Sequence, residues 1–309
     1  MQIDKELSQS VSARDTVMTI GVFDGVHVGH RHLLAHLRSE ADKHNMRSGV
    51  VTFKSHPEDT ITTDHKLLWL GGLDTRIKLI QSLGIDIAIA LSFTPELRQL
   101  SPREFIQKLQ KYLKMRALII GPDFAMGKNR QGNYDQLRSL GQELHFSIEV
   151  VPPFVVDDQV VSSSLIREIL SRGEMGKVAR LLGRVYSLDG KIVSGDRWGR
   201  TMGFPTANLE ANAVQAMPRD GVYATITHTE GKVLPSVTNI GFRPTFGGKT
   251  RTIETYIINY QNDLLNKDFS VDFIQRLRDE RHFDSIEELR QQISLDIEQA
   301  KPILCKLIT

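Results

Sequence analysis

An apolar run from Thr16 to Val22 passes through glycines at 21, 25 and 29 straight into an amphipathic helical pattern, and this junction constrains the fold more than any other part of the chain. Glycines so spaced let the backbone turn tightly and approach a ligand. The helix that begins near Gly29 points its free N–H groups and positive dipole end at whatever occupies the turn. His27 and His30 flank that end. The run T-I-G-V-F-D-G-V-H-V-G-H over 19–30 therefore reads as a phosphate-binding turn lined by Gly21, Phe23, Asp24 and Gly29. A merely structural pair of surface histidines would require the glycine spacing and both imidazoles to coincide by chance.

At 309 residues the chain is long for a single core, so two domains are expected. Lys and Arg number 39 against 37 Asp and Glu, and the formal charge of +2 provides no global field for nucleic acid or an anionic membrane. Cys305 is the only cysteine, which excludes an intramolecular disulfide and argues against a thiolate metal cluster. The opening MQIDKELSQS lacks a basic-then-apolar signal pattern, and no apolar run approaches the roughly 20 residues needed to cross a bilayer. A cytoplasmic protein is expected.

From 16 to about 182, short apolar runs alternate with helical patterns. Strands are expected at 16–22, 48–53, 86–91, 117–121 and 146–151. Helices are expected after His30, where Leu33, Leu34, Leu37 and Ala41 share a face, and at 74–83, 102–114, 134–143, 163–172 and 174–182. Strands separated by helices imply a doubly wound parallel sheet, with ligands beyond the carboxyl ends of its strands. After Gly183 the period changes. Runs at 184–193, 221–228, 232–240, 251–259 and 269–276, then a helical pattern over 285–300, predict a small antiparallel barrel with a C-terminal helix. The expected domains are 1–182 and 183–309.

Three further segments belong with the first turn. Val51 to Pro57 ends a strand in His56-Pro57, which by itself fits a strand stop as well as a substrate contact. The loop Gly121 to Asn133 carries Asp123 and Phe124; it is not a Walker A loop, because five residues separate Gly121 from Gly127 and Asn129 stands where Ser or Thr belongs. Ser162-Ser163-Ser164-Leu165-Ile166-Arg167 opens a helix, and hydroxyls, helix N–H groups and a guanidinium at one helix end suit a triphosphate.

In the second half, Gly190, Gly195, Gly199 and Gly203 punctuate a stretch ending F-P-T-A-N, as in a flexible loop over phosphates. Thr206 and Asn208 would lie on one side of an extended chain and offer hard oxygens suited to Mg²⁺ held mainly by nucleotide phosphates. The tempting G-G-K-T at 247–250 is no P-loop, since Arg243 occupies the position of its first glycine.

The H-x-G-H turn resembles that of the nucleotidyltransferase superfamily. Nearly the whole chain resembles the bacterial bifunctional riboflavin kinase/FMN adenylyltransferase family: T-F-x-x-H-P at 52–57, the D-F loop at 123–132, S-S-S/T-x-I-R at 162–167, G-x-P-T-A-N at 203–208, N-I-G-x-R-P-T-F at 239–246 and an L-R stretch at 277–283. Met126, Ala125 and Tyr256 depart from the commoner Phe, Arg and His of that pattern. The resemblance implies a Rossmann-like nucleotidyltransferase domain followed by a riboflavin kinase barrel, with ATP, riboflavin, FMN, FAD and pyrophosphate as substrates and products. It implies that His27, His30, Ser163, Ser164 and Arg167 hold ATP phosphates in the first domain, with His56, Pro57, Asp123 and Phe124 near the flavin. In the second it implies Gly195, Gly199, Arg200, Gly203 and Pro205 at ATP, Asn239, Gly241, Pro244, Thr245 and Arg278 at the flavin, Mg²⁺ on Thr206 and Asn208, and Glu254 as catalytic base. Two alternatives remain at this point: a riboflavin kinase whose first half only binds or regulates, and a nucleotidyltransferase for another phosphate ester.

Overall fold

The computed structural model describes residues 1–56, 67–194, 203–245, 248–260, 262 and 264–307, and only the backbone at 243–245 and 248–250. Its contacts divide into two compact units, Met1–Ser163 and Ser164–Thr309.

The first unit is built on five parallel strands in the order β3-β2-β1-β4-β5: β1 Thr16–Ile20, β2 Arg47–Phe53, β3 Ile87–Leu91, β4 Met115–Ile120 and β5 Ser147–Val150. All of β1 is buried, as expected of a central strand covered on both faces. Its crossovers are α2 (Val28–Lys43), α3 (Leu73–Ser82), α4 (Pro95–Gln99) with α5 (Pro102–Leu113), and α6 (Tyr134–Leu144). Helix α5 shows why such a segment is helical: Ser101 and Glu104 form a reciprocal capping box, Pro102 occupies the first turn, and Phe105, Ile106, Leu109 and Leu113 share the buried face. The strand order reverses between β1 and β4, and crevices at such reversals are where doubly wound sheets bind ligands. A two-stranded hairpin, β6 (Val155–Val156) and β7 (Gln159–Val160), follows the sheet.

The unanticipated helix α1, Gln2–Ser8, fastens the edge of this sheet. Its buried Glu6 accepts hydrogen bonds from Lys54 Nζ (2.7 Å), Ser92 N (2.9 Å), Ser92 Oγ (2.6 Å) and Gln2 Nε2 (3.1 Å). One carboxylate thereby joins the segments that follow β2 and β3.

The second unit contains α7 (Ser163–Arg172, from its second residue), α8 (Met175–Leu182) and a closed six-stranded barrel in the order β10-β11-β12-β9-β8-β13. The strands are β8 Tyr186–Val193, β9 Thr206–Ala211, β10 Gly221–Thr229, β11 Lys232–Thr245, β12 Gly248–Ile257 and β13 Asp268–Arg278. Helix α9, Ile286–Leu304, lays Ile297, Ala300 and Leu304 against Val222, Ala224 and Ile226, the outward row of β10. The alternate residues Tyr223, Thr225 and Thr227 therefore face the interior. Five of the six barrel strands match expected runs; β9 is the addition, and it contains P-T-A-N from Thr206 onwards.

Glu6 generates a pH prediction. Burial pushes its pKa up, but hydrogen bonds from Lys54 and Ser92 outweigh that and hold it at about 2. The carboxyl therefore stabilises the fold above its unfolded value near 4.5, and that contribution, about 3 kcal/mol, is lost as pH falls from 4.5 towards 2. Urea unfolding at pH 5 and pH 3 is expected to show a smaller pH-dependent loss in Glu6→Gln than in the parent.

Candidate active sites

In the first unit the residues after β1 form a tight, strained turn. Phe23 (φ 51°), Gly25 (φ 74°) and Val26 (φ 41°) all lie in the left-handed region, which a β-branched residue rarely enters. Gly25 meets this requirement without cost, whereas Phe23 and Val26 are held there by burial, at 3 % and 0 % exposure. Gly21 and Gly29 serve close approach instead: a Cβ at 21 would meet the Phe23 ring at 3.0 Å, and one at 29 would meet the His27 ring at 3.2 Å.

His27 caps α2, its Nδ1 accepting the His30 N–H at 3.3 Å. The His27 and His30 rings stack at 3.6 Å, and the Phe23 ring meets His30 edge-on at 5.1 Å. Burial, then the neighbouring His27 and Arg76 charges, push the His30 pKa well below the ordinary imidazole value, so His30 is neutral at physiological pH. Its Nδ1 is buried and has no hydrogen-bond partner among the described residues. Buried Asp24 receives the Leu70 N–H on Oδ1 at 2.9 Å, and its carbonyl accepts Ser163 Oγ at 3.0 Å. Ser164, exposed, and Arg167, half-buried, follow on α7 and fall in the second unit.

The other segments of this unit sit at neighbouring strand ends. His56, three residues beyond β2, packs its ring edge-on against Trp69 at 5.5 Å; Pro57 lies outside the described residues. The loop after β4 closes through paired Met126 and Gly132 backbones, with bonds of 3.2 and 2.9 Å. Asp123 is exposed at its tip and Phe124 half-buried against the core. Met126 is a core residue at 7 % exposure, so the departure at this position fills the loop's interior. Turn and loop follow β1 and β4, the adjacent strands where the sheet order reverses.

In the barrel, strand register assembles the second constellation. Glu254 on β12 pairs with Asn208 on β9 and with Asn239 on β11, so carboxylate and two amides form one row across three strands. The next row is Val237, Tyr256 and Thr206. Both rows share the outward face, since Val237 and Tyr256 pack with the α9 cluster. Thr252 Oγ1 lies 3.4 Å from Glu254 Oε1. Phe204 meets the Tyr256 ring edge-on at 5.4 Å, and Gly203 (φ 87°) turns the chain into β9 behind exposed Pro205. Gly241 is a true close approach: a Cβ there would lie 1.7 Å from the Glu280 carboxylate. Arg278 binds buried Asp296 of α9 through Nε (2.8 Å) and Nη2 (2.8 Å). Gly195, Gly199 and Arg200 lie outside the described residues, as do the side chains of Pro244 and Thr245.

Sequence reasoning missed Arg76, Trp69 and Leu70. A basic residue in an amphipathic helix reads as solvent-facing, yet Arg76 is 2 % exposed. Asp24 was legible as part of the turn, but its partner Leu70 carries no motif signal.

A doubly wound sheet with a histidine-bearing turn at its switch point, continuing into a closed barrel whose strands align a carboxylate with P-T-A-N, defines a two-module nucleotide-dependent transferase. The FAD synthetase model matches residues 9–165 and the riboflavin kinase model residues 182–304. Proteins described as bifunctional riboflavin kinase/FMN adenylyltransferase are similar throughout: that of Haemophilus influenzae is 34% identical, spanning 92% of each chain, and that of Escherichia coli K12 is 35% identical, spanning 91% of this chain and 90% of its own. A crystal structure from Streptococcus pneumoniae, described as a macrolide-efflux protein, superposes with a TM-score of 0.88 at 26% identity over 96% of this chain and 97% of its own. The chain belongs to the bifunctional riboflavin kinase/FMN adenylyltransferase family.

The buried histidine pair can be tested directly. The His30 Cε1 proton is expected to keep its neutral chemical shift by NMR from pH 8 down to about pH 6; a titration centred near the unperturbed value of about 6.5 would show that the turn does not hold the ring neutral.

Proposed function

We propose that this chain phosphorylates riboflavin to FMN in its second module and adenylylates FMN to FAD in its first, using one ATP at each step. Family membership over both modules carries the two activities. The alignment of Glu254 with Asn208 and Asn239 supports the kinase assignment, because it gathers a base and hard oxygen ligands on one face. The efflux description of the pneumococcal chain has no counterpart in the motifs of this sequence. Among the described residues no helix is long and apolar enough to cross a membrane. A cytoplasmic location is part of the proposal, in keeping with the lone Cys305.

In the kinase step Glu254 takes the proton of the ribityl 5′-hydroxyl as its oxygen attacks the γ-phosphorus and ADP departs. The Thr206 hydroxyl and Asn208 amide oxygen, on the same face as the Glu254 carboxylate, fit a hard divalent cation. Mg²⁺, held there together with the nucleotide phosphates, would neutralise charge developing on the transferred group. Asn239 in the same row and Gly241 beyond it would border the flavin substrate. Arg278, committed to Asp296, would act there by holding the strand end to α9.

In the transferase step an FMN phosphate oxygen, already anionic, attacks the α-phosphorus and pyrophosphate departs, so no general base is needed. The work is positioning and electrostatic stabilisation. The His27 and His30 rings, the α2 N-terminus and Ser163 would face the phosphates, with His56, Asp123 and Phe124 on the flavin side; the family pattern assigns Ser164 and Arg167 to the same phosphates.

Separate variants test the two steps. Glu254→Gln is expected to lower riboflavin phosphorylation by about 10²-fold or more while supplied FMN still becomes FAD. His27→Ala with His30→Ala is expected to do the reverse, each lost donor costing on the order of 2.7 to 4 kcal/mol of transition-state stabilisation. Chromatography of flavins made from riboflavin or FMN with ATP and Mg²⁺ reads both, and a double variant forming FAD at the parent rate would sink the phosphate role of the turn.

The division at 182/183 belongs to the same proposal. Helix α8 buries Met175, Val178, Leu181 and Leu182 and packs on β13 and β8. Fragments 183–309 and 164–309 are both expected to make FMN. The longer should unfold at a temperature higher by about 10 °C or more, since burial of apolar side chains contributes about 1.5–3 kcal/mol each. An unfolded, inactive 183–309 fragment would place the boundary before α8.

A further inference from the structure

Among the described residues Arg76 is the largest fully buried side chain, and it lies at the functional end of the first sheet. Its Nη1 donates to the Val22 carbonyl at 2.9 Å and its Nη2 to the Phe53 carbonyl at 2.6 Å. These carbonyls belong to the ends of two adjacent parallel strands. The ladder joining β1 and β2 stops at Ile20 and Val51, with one further bond from Gly21 N–H to the Val51 carbonyl at 3.0 Å. Beyond that bond the guanidinium fork links the two chains, aided by Thr52 Oγ1, which donates to the Val22 carbonyl at 2.9 Å.

The cation has a second contact. Its guanidinium carbon lies 4.3 Å from the centroid of Trp69, the ring that His56 meets edge-on. An unbroken set of contacts thus runs from the residue before Phe23, through Arg76 and Trp69, to His56. Burial lowers the Arg76 pKa to about 10, with the Asp24 charge pulling it back up, so the group stays charged at neutral pH. Keeping a cation in such a place costs free energy that a simple apolar brace would avoid.

We propose that Arg76 is a positioning residue for adenylyl transfer: its planar fork sets the strand end carrying the H-x-G-H turn against the strand end carrying His56, and through Trp69 it sets the His56 ring. This assignment rests on the reading of the turn as the adenylyltransferase site. A misplacement of about 1 Å in a site that works by orientation can cost about 10²-fold in rate. Lysine keeps the charge but cannot present two parallel donors from one rigid plane.

The test uses full-length Arg76→Lys and Arg76→Met, with kinase turnover as an internal control in the same molecule. In Arg76→Lys the kcat for FAD formation is expected to fall about tenfold or more, the KM for ATP to change far less, and kinase turnover and cooperative unfolding to be retained. Arg76→Met, lacking both fork and charge, is expected to lose more. An Arg76→Lys protein whose FAD-forming kcat stays within about twofold of the parent would overturn the assignment. So would a parallel fall of both activities with loss of cooperative unfolding in both variants, which is the signature of a purely structural residue. A parent protein that makes FMN but no FAD would instead strike down the transferase reading on which this assignment stands.

Discussion

Parallel pairing of β1 with β2 on one side and β4 on the other is the constraint on which the first module depends. A strand hydrogen-bonded on both edges and fully buried cannot move its ends independently of its neighbours. Whatever follows β1 is therefore delivered to the reversal of strand order, beside the loop that follows β4. The proposed site lies there because both loops leave the same side of the sheet, and neither needs to be long.

Closure plays the same part in the second module. With six strands in a ring there is no free edge, and register between β11, β12 and β9 fixes which outward side chains share a row. A slip of one residue would turn Glu254 inward. The interior resists such a slip by an unusual means. Thr225, Thr227, Ser236, Thr238 and Thr255 are fully buried there and bonded hydroxyl to hydroxyl, Thr225 to Ser236 at 2.8 Å and to Thr238 at 2.9 Å, Thr227 to Ser236 at 2.8 Å, and Thr238 to Thr255 at 2.9 Å. Each hydroxyl left unpaired would cost about 1–3 kcal/mol, so the network favours the one register in which all are paired.

Both architectures were legible in the sequence because each rests on a repeating period: strands buried on both faces between amphipathic helices in one half, alternating strands between turns in the other. The motif residues were legible too, since glycine spacing, paired histidines and P-T-A-N state their geometry locally. What escaped has a common physical origin. Helix α1 is short and mostly polar, and its value lies in Glu6 meeting Lys54 and Ser92, contacts of long sequence separation. Strand β9 has a half-exposed, polar row, so no clean alternation announces it. Arg76 sits on a helix where a charge ordinarily faces water, and its burial depends on two carbonyls and an indole from elsewhere in the chain.

The turn after β1 shows why such distant partners are required. Phe23 and Val26 hold left-handed backbone that costs about 1–3 kcal/mol each, so the segment would relax if left to local preference. It is restrained from several directions: the Phe23 and Val26 side chains are sunk in a core cluster with Leu34, Leu37 and Val50, the Asp24 carboxylate is fastened to the Leu70 N–H, and the Asp24 carbonyl to Ser163. The strain turns the chain sharply enough for the His27 ring to cap α2 and stack on His30. An unstrained loop could cap a helix equally well, but it would not stack the His27 ring on a buried His30 at the dipole end of that helix. Local conformational cost is thus exchanged for a turn whose rings and helix end are fixed in advance, which under the proposed adenylyl transfer is the condition for electrostatic stabilisation without reorganisation at the moment of reaction.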